Sequence, residues 1–348
     1  MAAAPDISTP ALLPHIENSE AMEKMRAARY LEKGRIVCEQ APVPKLNDGE
    51  VLVRTQLAAI CGSDLHVVYD DISHYPHPCP HGYPGHEGLG EVVESKSPLF
   101  RPGAKVLTCP VAAYSRCFAD YQVIAAAQCY ELPAYQGSME HLLMAQQLGT
   151  TIFALRQMPA DVVGKTVMVM GQGSAGNFLA YNLKRAGAAK VIVSDKSEAR
   201  LAASTGFGAD VALKADQASV RAAVMEHTNG QGVDYLVDAV GHSDAFLQAV
   251  DLVREDGHML WFGLPDTKSP IPFNFYDFFR KKLRTYSTFG AQLEPDGASF
   301  RLALDLIATG RIDVTKMVTH RFSIEQIDQG MRIALDRSDN AGKVAVTF

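Results

Sequence analysis

At 348 residues the chain exceeds the size at which a single hydrophobic core stops growing, about 250–300 residues, so two domains are expected. Apolar residues make up 47% and charged residues 21%, a balance that excludes disordered and membrane classes. The formal charge of −6 offers no basic footprint for nucleic acid.

Residues 1–24 carry Pro5, Pro10 and Pro14 among small and polar residues, with no basic segment followed by an apolar one. They read as a flexible tail or as a strap across a partner subunit, not as a secretory leader. Six cysteines at irregular spacing do not make a disulfide framework, and point to thiols in a reducing cytoplasm with at least one available for metal.

From Met25 to Asp70 short, partly alternating runs separated by Pro and Gly read as β: residues 27–31, 35–38 and 51–57. Cys61-Gly-Ser63-Asp64-Leu-His66 then places a thiol, a hydroxyl, a carboxylate and an imidazole within six residues, and Gly85-His86-Glu87-Gly88 follows. A thiolate and an imidazole from two separate loops, with carboxylates beside both, are what an open catalytic zinc site needs. Between them, His74, His77, Cys79 and His81 could form a metal site of their own, but the intervening prolines hold the backbone extended. That segment reads as a stiff loop rimming a cleft.

The next organised stretch runs from Gly164 to Asp195. Thr166–Met170 is a short apolar run of the kind that forms a parallel strand buried on both faces. Gly171-Gln-Gly173-Ser174-Ala175-Gly176 follows, and spacing of this type gives a sharp turn, close approach of the backbone to a diphosphate, and tight packing of helix on strand. A helix over 177–186 and a strand over 190–194 come next, ending at Asp195 where a carboxylate accepts hydrogen bonds from an adenosine ribose. That carboxylate repels a 2′-phosphate and favours NAD over NADP, although Lys196 and Arg200 lie close enough to offset part of the repulsion.

The βα rhythm continues with helices over 198–205, 219–228 and 243–254 and strands over 209–213, 233–238 and 257–263. The alternation makes a doubly wound parallel (Rossmann) sheet, an α/β class. Its ligands sit at the carboxyl ends of the strands, so Gly241, Gly263, Leu264, Phe289 and Gly290 are candidate neighbours of the nicotinamide. The aromatic run 271–279, with Pro270 and Pro272, suits an edge strand or a docking surface.

CGSDLH, then PGHEGLGEVV, RPGAKV and GKTVMVMGQGSAG with VIVSD, resemble the zinc-dependent medium-chain alcohol and polyol dehydrogenases over almost everything after residue 25. The resemblance implies a β-rich GroES-like catalytic domain from residues 25–150 and 291–348, a dinucleotide-binding domain over 151–290, and pairing of subunits into a homodimer or homotetramer. It implies Cys61 and His86 as zinc ligands, Glu87 as a ligand or one that exchanges, and Asp64 behind His86 fixing its tautomer. Ser63 would stand beside the substrate hydroxyl and His66 at the solvent end of a proton relay.

Two departures from the family pattern stand out. The lobe that would hold a structural zinc is reduced to residues 107–118 with Cys109 and Cys117, too few thiols for a tetrahedral site, so one catalytic zinc is expected. Gln146 stands where the family usually has Glu or Cys, and a glutamine carbonyl is a neutral, weaker donor. Whether Glu87 or Gln146 completes the metal site is open at this stage. The implied activity is hydride transfer between NAD and a secondary alcohol or ketone such as a polyol, sugar or hydroxylated metabolite. The rivals are a zinc-free quinone or enone reductase of the same fold and a non-enzymatic nucleotide-binding structural protein.

Overall fold

The computed structural model describes residues 24–73, 75–158 and 161–348, so residues 1–23 of the tail, and His74, lie outside the described residues. Strands β1 (Lys24–Glu32) and β2 (Arg35–Pro42) form an antiparallel pair. The second sheet is built on β3 (Glu50–Ile60), which pairs antiparallel with β4 (Glu87–Ser95), β6 (Tyr121–Ala125) and β15 (Lys343–Thr347). Strands β5 (Lys105–Thr108) and β7 (Cys129–Glu131) extend it beyond β4, and β14 (Val318–Ser323) lies parallel to β15 at the other side. Sequence-distant ends of the chain thus meet in one sheet.

The third sheet contains β8 (Thr166–Met170), β9 (Lys190–Asp195), β10 (Val211–Lys214), β11 (Val233–Asp238), β12 (Val253–Trp261) and β13 (Arg284–Ser287). All its pairs are parallel and the order is β10-β9-β8-β11-β12-β13. The order reverses between β8 and β11, so the crevice for a ligand opens at their carboxyl ends. Period-two side chains explain the burial: Val167, Val169, Val191, Val193, Val237 and Leu260 enter one apolar cluster, while Met168, Met170, Ile192, Leu236 and Met259 enter the cluster on the opposite face.

Helix α1 (Gly62–Tyr69) follows β3; α2 (Met139–Leu143) and α3 (Ala145–Arg156) lead into the third sheet. Helices α4 (Ser174–Arg185), α5 (Glu198–Ser204), α6 (Gln217–His227) and α7 (Ser243–Leu252) are its crossovers, and α8 (Phe275–Arg280) precedes β13. Helices α9 (Ala298–Ala308) and α10 (Ile327–Asp336) lie on the return to the second sheet. A core containing Leu89 and Leu107 of that sheet, Leu148 and Ile152 of α3, Phe178 of α4 and Phe300 of α9 joins the two sheets.

Three local expectations differ from the structure, the first being that β12 begins at Val253, inside the end of the helix expected over 243–254, and stops at Trp261, short of 263. CGSDLH is helical where a loop is expected, because the Cys61 N–H donates to Asp64 Oδ2 at 2.8 Å and so caps the first turn of α1. The aromatic run is helix α8, whose N-cap Asn274 accepts the Asp277 N–H, and the edge strand is β13 instead. Among the described residues no helix is long and apolar enough to cross a membrane.

Candidate active site and cofactor cleft

Cys61 follows the last residue of β3 and caps α1, while His86 precedes and Glu87 opens β4, which pairs antiparallel with β3. The pairing of Ala59 with Glu87 therefore returns the imidazole and carboxylate to the thiol. Gly88 is required there: a Cβ on it would stand 2.8 Å from the Cys117 Cβ, closer than real contacts allow. One ligand atom each from Cys61, His86 and Glu87 lies within 4.8 Å of the others.

His86 Nδ1 lies 2.9 Å from Asp64 Oδ1 and 3.2 Å from the Pro84 carbonyl, leaving Nε2 to face inward, where Ser63 Oγ approaches to 3.3 Å. Asp64 is fully buried; its Oδ2 accepts the Cys61 N–H, while its Oδ1 faces the imidazole at ion-pair distance and the Pro84 carbonyl is the hydrogen-bond partner of Nδ1. Burial works against charge on His86, but Asp64 and Cys61 outweigh it and raise its proton affinity well above that of an ordinary imidazole. The set demands positive charge.

Glu87 is buried and its Oε2 accepts from Lys343 Nζ at 2.7 Å, while its Oε1 has no hydrogen-bond partner. Lys343 also donates to the Ile60 carbonyl at 3.4 Å, and it too is raised against burial by Glu87 and Cys61. The sequence reading missed this residue; the available signal was a lysine at the head of the apolar run KVAVT.

The glutamine position needs correction by one residue. Gln147, not Gln146, is buried and places its Nε2 3.9 Å from Cys61 Sγ, with its Oε1 unpartnered. On helix α3 neighbouring residues face about 100° apart, so only one of the two can aim at Cys61. A half-turn of the amide exchanges its oxygen and nitrogen, an assignment set by the surroundings. A cysteine sulfur, an imidazole and a carboxylate with a bare oxygen match the donor types that zinc takes, and the glutamine oxygen adds a weaker, neutral one. The residues present fit the metal.

The histidine-rich loop is differently engaged. His77 Nε2 meets Asp71 Oδ1 at 2.8 Å and His81 Nε2 meets Glu39 Oε1 at 2.7 Å, so the described histidines of that loop are tied to the frame. Cys109 and Cys117 are fully buried, and burial pushes both thiols well up.

In the cofactor cleft, Gly171 turns with φ +87° and a Cβ on Gly176 would fall 1.8 Å from the Gly171 carbonyl oxygen, which explains both glycines. Gly173 caps α4, whose opening N–H groups at Ser174, Ala175 and Gly176 have no intrahelical acceptor and point the positive end of the helix into the crevice. Asp195 ends β9, buried, accepting the Gln172 N–H at 2.7 Å and the Ser197 N–H at 2.8 Å. The acid and the glycine turn are therefore locked together. Lys196 is exposed, whereas Arg200 crosses to the return segment and donates to the Ala341 carbonyl at 3.1 Å.

At the ends of β11 and β12 the turns holding Gly241, Gly263 and Leu264 press against one another; a Cβ on Gly241 would stand 2.0 Å from the Leu264 oxygen. Phe289, 75% exposed, and Gly290 follow β13 at the same edge. Asp238, which the sequence marked only as a strand end, accepts the Val240 and Gly241 N–H groups at 2.9 and 3.4 Å and fixes that turn.

A doubly wound nucleotide sheet joined to a β-rich sheet that carries a thiol, imidazole and carboxylate within reach of one another defines a zinc- and nucleotide-using oxidoreductase. Residues 47–150 match the model of the alcohol dehydrogenase GroES-like domain and residues 175–309 that of the zinc-binding dehydrogenase. The chain belongs to the zinc-dependent medium-chain dehydrogenase family. It is an enzyme of that family, with zinc and NAD(P) as its cofactors.

Among its relatives, the L-threonine 3-dehydrogenase of Anaeromyxobacter dehalogenans (strain 2CP-C) is 28% identical over 344 residues, covering 91% of this chain and 96% of that one. The sorbitol dehydrogenase of Bacillus subtilis (strain 168) is 28% identical over 352 residues, covering 93% and 97%. In fold, the zinc dependent alcohol dehydrogenase 2 from Streptococcus pneumonia is similar with a TM-score of 0.80 at 22% identity, covering 93% and 98%.

Proposed function

We propose that the protein transfers hydride between NAD(H) and a secondary alcohol or ketone, with a polyol, sugar or similarly hydroxylated metabolite as its substrate class. The observation that carries the reading is the cluster of Cys61, His86 and Glu87 ligand atoms within 4.8 Å, with Ser63 Oγ 3.3 Å from the same imidazole. Relatives named for sorbitol and threonine support a hydroxylated substrate. A zinc-free quinone or enone reductase has no use for such a cluster.

Bound zinc supplies Lewis acidity that lowers an alcohol's pKa, and bound NAD accepts hydride. Cys61, His86, Glu87 and Gln147 would hold the metal. Asp64, with the Pro84 carbonyl that meets His86 Nδ1, would keep the tautomer that leaves Nε2 inward. Ser63 would accept the substrate's proton at Oγ and pass it towards His66 and solvent. Gly171, Gly173, Ser174, Ala175 and Gly176 would hold the diphosphate, Asp195 the adenosine ribose, and Gly241, Gly263, Leu264, Phe289 and Gly290 would border the nicotinamide.

The division into residues 25–150 with 291–348 and residues 151–290 is supported by the strands each contributes to the second and third sheets. One zinc per chain, a reducing cytoplasmic setting suited to six free cysteines, and a homodimer or homotetramer complete the proposal.

The test is metal analysis and turnover over a panel of polyols, sugars and secondary alcohols with NAD and with NADP. The parent enzyme should carry zinc and prefer NAD. Cys61→Ser and His86→Ala should each lose zinc and turnover while NADH binding, followed by fluorescence, persists. An active, zinc-free parent would overturn the metal reading, and a preference for NADP would overturn the nucleotide assignment.

A further inference from the structure

We propose that Asp70 is the positioning residue for His66, holding the ring so that Nε2 is the atom that takes a proton; this rests on the relay reading above. His66 and Asp70 stand four residues apart at the end of α1, and His66 Nδ1 meets Asp70 Oδ2 at 2.6 Å. A carboxylate only accepts, so the hydrogen in this contact belongs to Nδ1, and in the neutral ring the lone pair is then at Nε2. The carboxylate also faces the imidazolium once Nε2 has taken its proton.

Asp70 is held from both sides. Its own N–H donates to the His66 carbonyl at 3.0 Å and closes the last turn. The next residue, Asp71, adopts a left-handed φ of 61°, and its carboxylate accepts from the buried Tyr30 hydroxyl at 2.9 Å as well as meeting His77 at 2.8 Å. Helix α10 packs against α1, and its Asp328, Arg332 and Asp336 are the charged groups within electrostatic range of Tyr69.

Helix stability does not account for an acid at this position. The carboxyl end of a helix carries partial negative charge, so an aspartate there is unfavourable and a basic or neutral residue is the usual solution. The contact with His66 supplies the missing reason.

The experiment compares zinc-loaded parent, Asp70→Asn, Asp70→Glu and His66→Asn. Asp70→Asn is expected to lower kcat by roughly tenfold with KM for the alcohol, NADH binding, zinc content and Tm unchanged, and Asp70→Glu to recover most of the loss. With selectively ¹⁵N-labelled histidine, the signals that vanish in His66→Asn should show Nδ1 protonated in the parent and a tautomer mixture in Asp70→Asn. Unchanged kcat or unchanged His66 nitrogen signals in Asp70→Asn would overturn the assignment. Full turnover by His66→Asn would instead remove the relay itself, and the inference with it. A fall in Tm without a change in nitrogen signals would reduce Asp70 to a helix-end residue.

Discussion

At the scale of single residues, the adjacent glutamines of α3 separate two accounts of the metal centre. Gln147 is buried beside Cys61, and the shift from Gln146 is invisible to a short ungapped comparison because QQ offers both registers. Gln147→Ala should shorten the half-time of zinc removal by a chelator by roughly tenfold, as loss of a supporting group commonly does. Gln146→Ala should leave it alone, like most substitutions that touch nothing essential. The reverse pattern would restore Gln146, and no effect from either would leave Glu87 as the third protein donor. Cys61, Ser63, Asp64, His86 and Glu87 were legible because their chemistry is packed into two short motifs. Lys343 and Asp70 were not, since one reaches the site through strand pairing and the other through a helix that a loop reading of CGSDLH hides.

Secondary-structure elements explain why the cofactor half was easier to read than the catalytic half. Strands β8, β9 and β11 each carry a short apolar stretch buried on both faces, residues 167–170, 191–193 and 235–237, and their expected bounds agree with the structure to within a residue. The turn after β11 carries a property that no pattern announces. Burial pushes Asp238 up to about 6, against the two backbone N–H groups that favour its charge. The folded chain therefore keeps a proton that the unfolded chain releases near pH 4, and the stability this contributes at low pH is lost as pH rises to about 6. Asp238→Asn removes the titration and leaves an oxygen for the same two donors. Relative to the parent, the variant should gain up to about 3 kcal/mol between pH 4 and pH 7, almost all of it below pH 6. Urea unfolding of both proteins at pH 4.5 and pH 7.5 measures this; an equal difference at the two pH values would count against it.

Across the whole molecule, the third sheet ends at β13 with one edge unpaired by any other described strand, next to α8 and its exposed Phe275, Tyr276 and Phe279 at 65%, 71% and 65%. Exposed aromatics beside an open strand edge are an invitation to association. Sedimentation of the parent should give a dimer or tetramer. Replacing Phe275, Tyr276 and Phe279 by Asp together should shift it to a smaller species that still binds NADH. A parent that sediments as a monomer would remove this surface from consideration.

The buried contact between Glu87 and Lys343 also sets a sequence of events in time. The two residues are 256 positions apart, whereas β8 and β9 pair within one short crossover. Contacts that close so long a span form late, because their entropy must be paid before they return anything. During refolding in the presence of metal, the nucleotide crevice should become able to quench or enhance NADH fluorescence before zinc is captured in chelator-resistant form. Zinc capture ahead of NADH binding would show that Cys61, His86 and Glu87 assemble without waiting for β15. In the expected order, the metal is the last component to arrive, and its retention certifies that the two distant halves of the catalytic sheet have met.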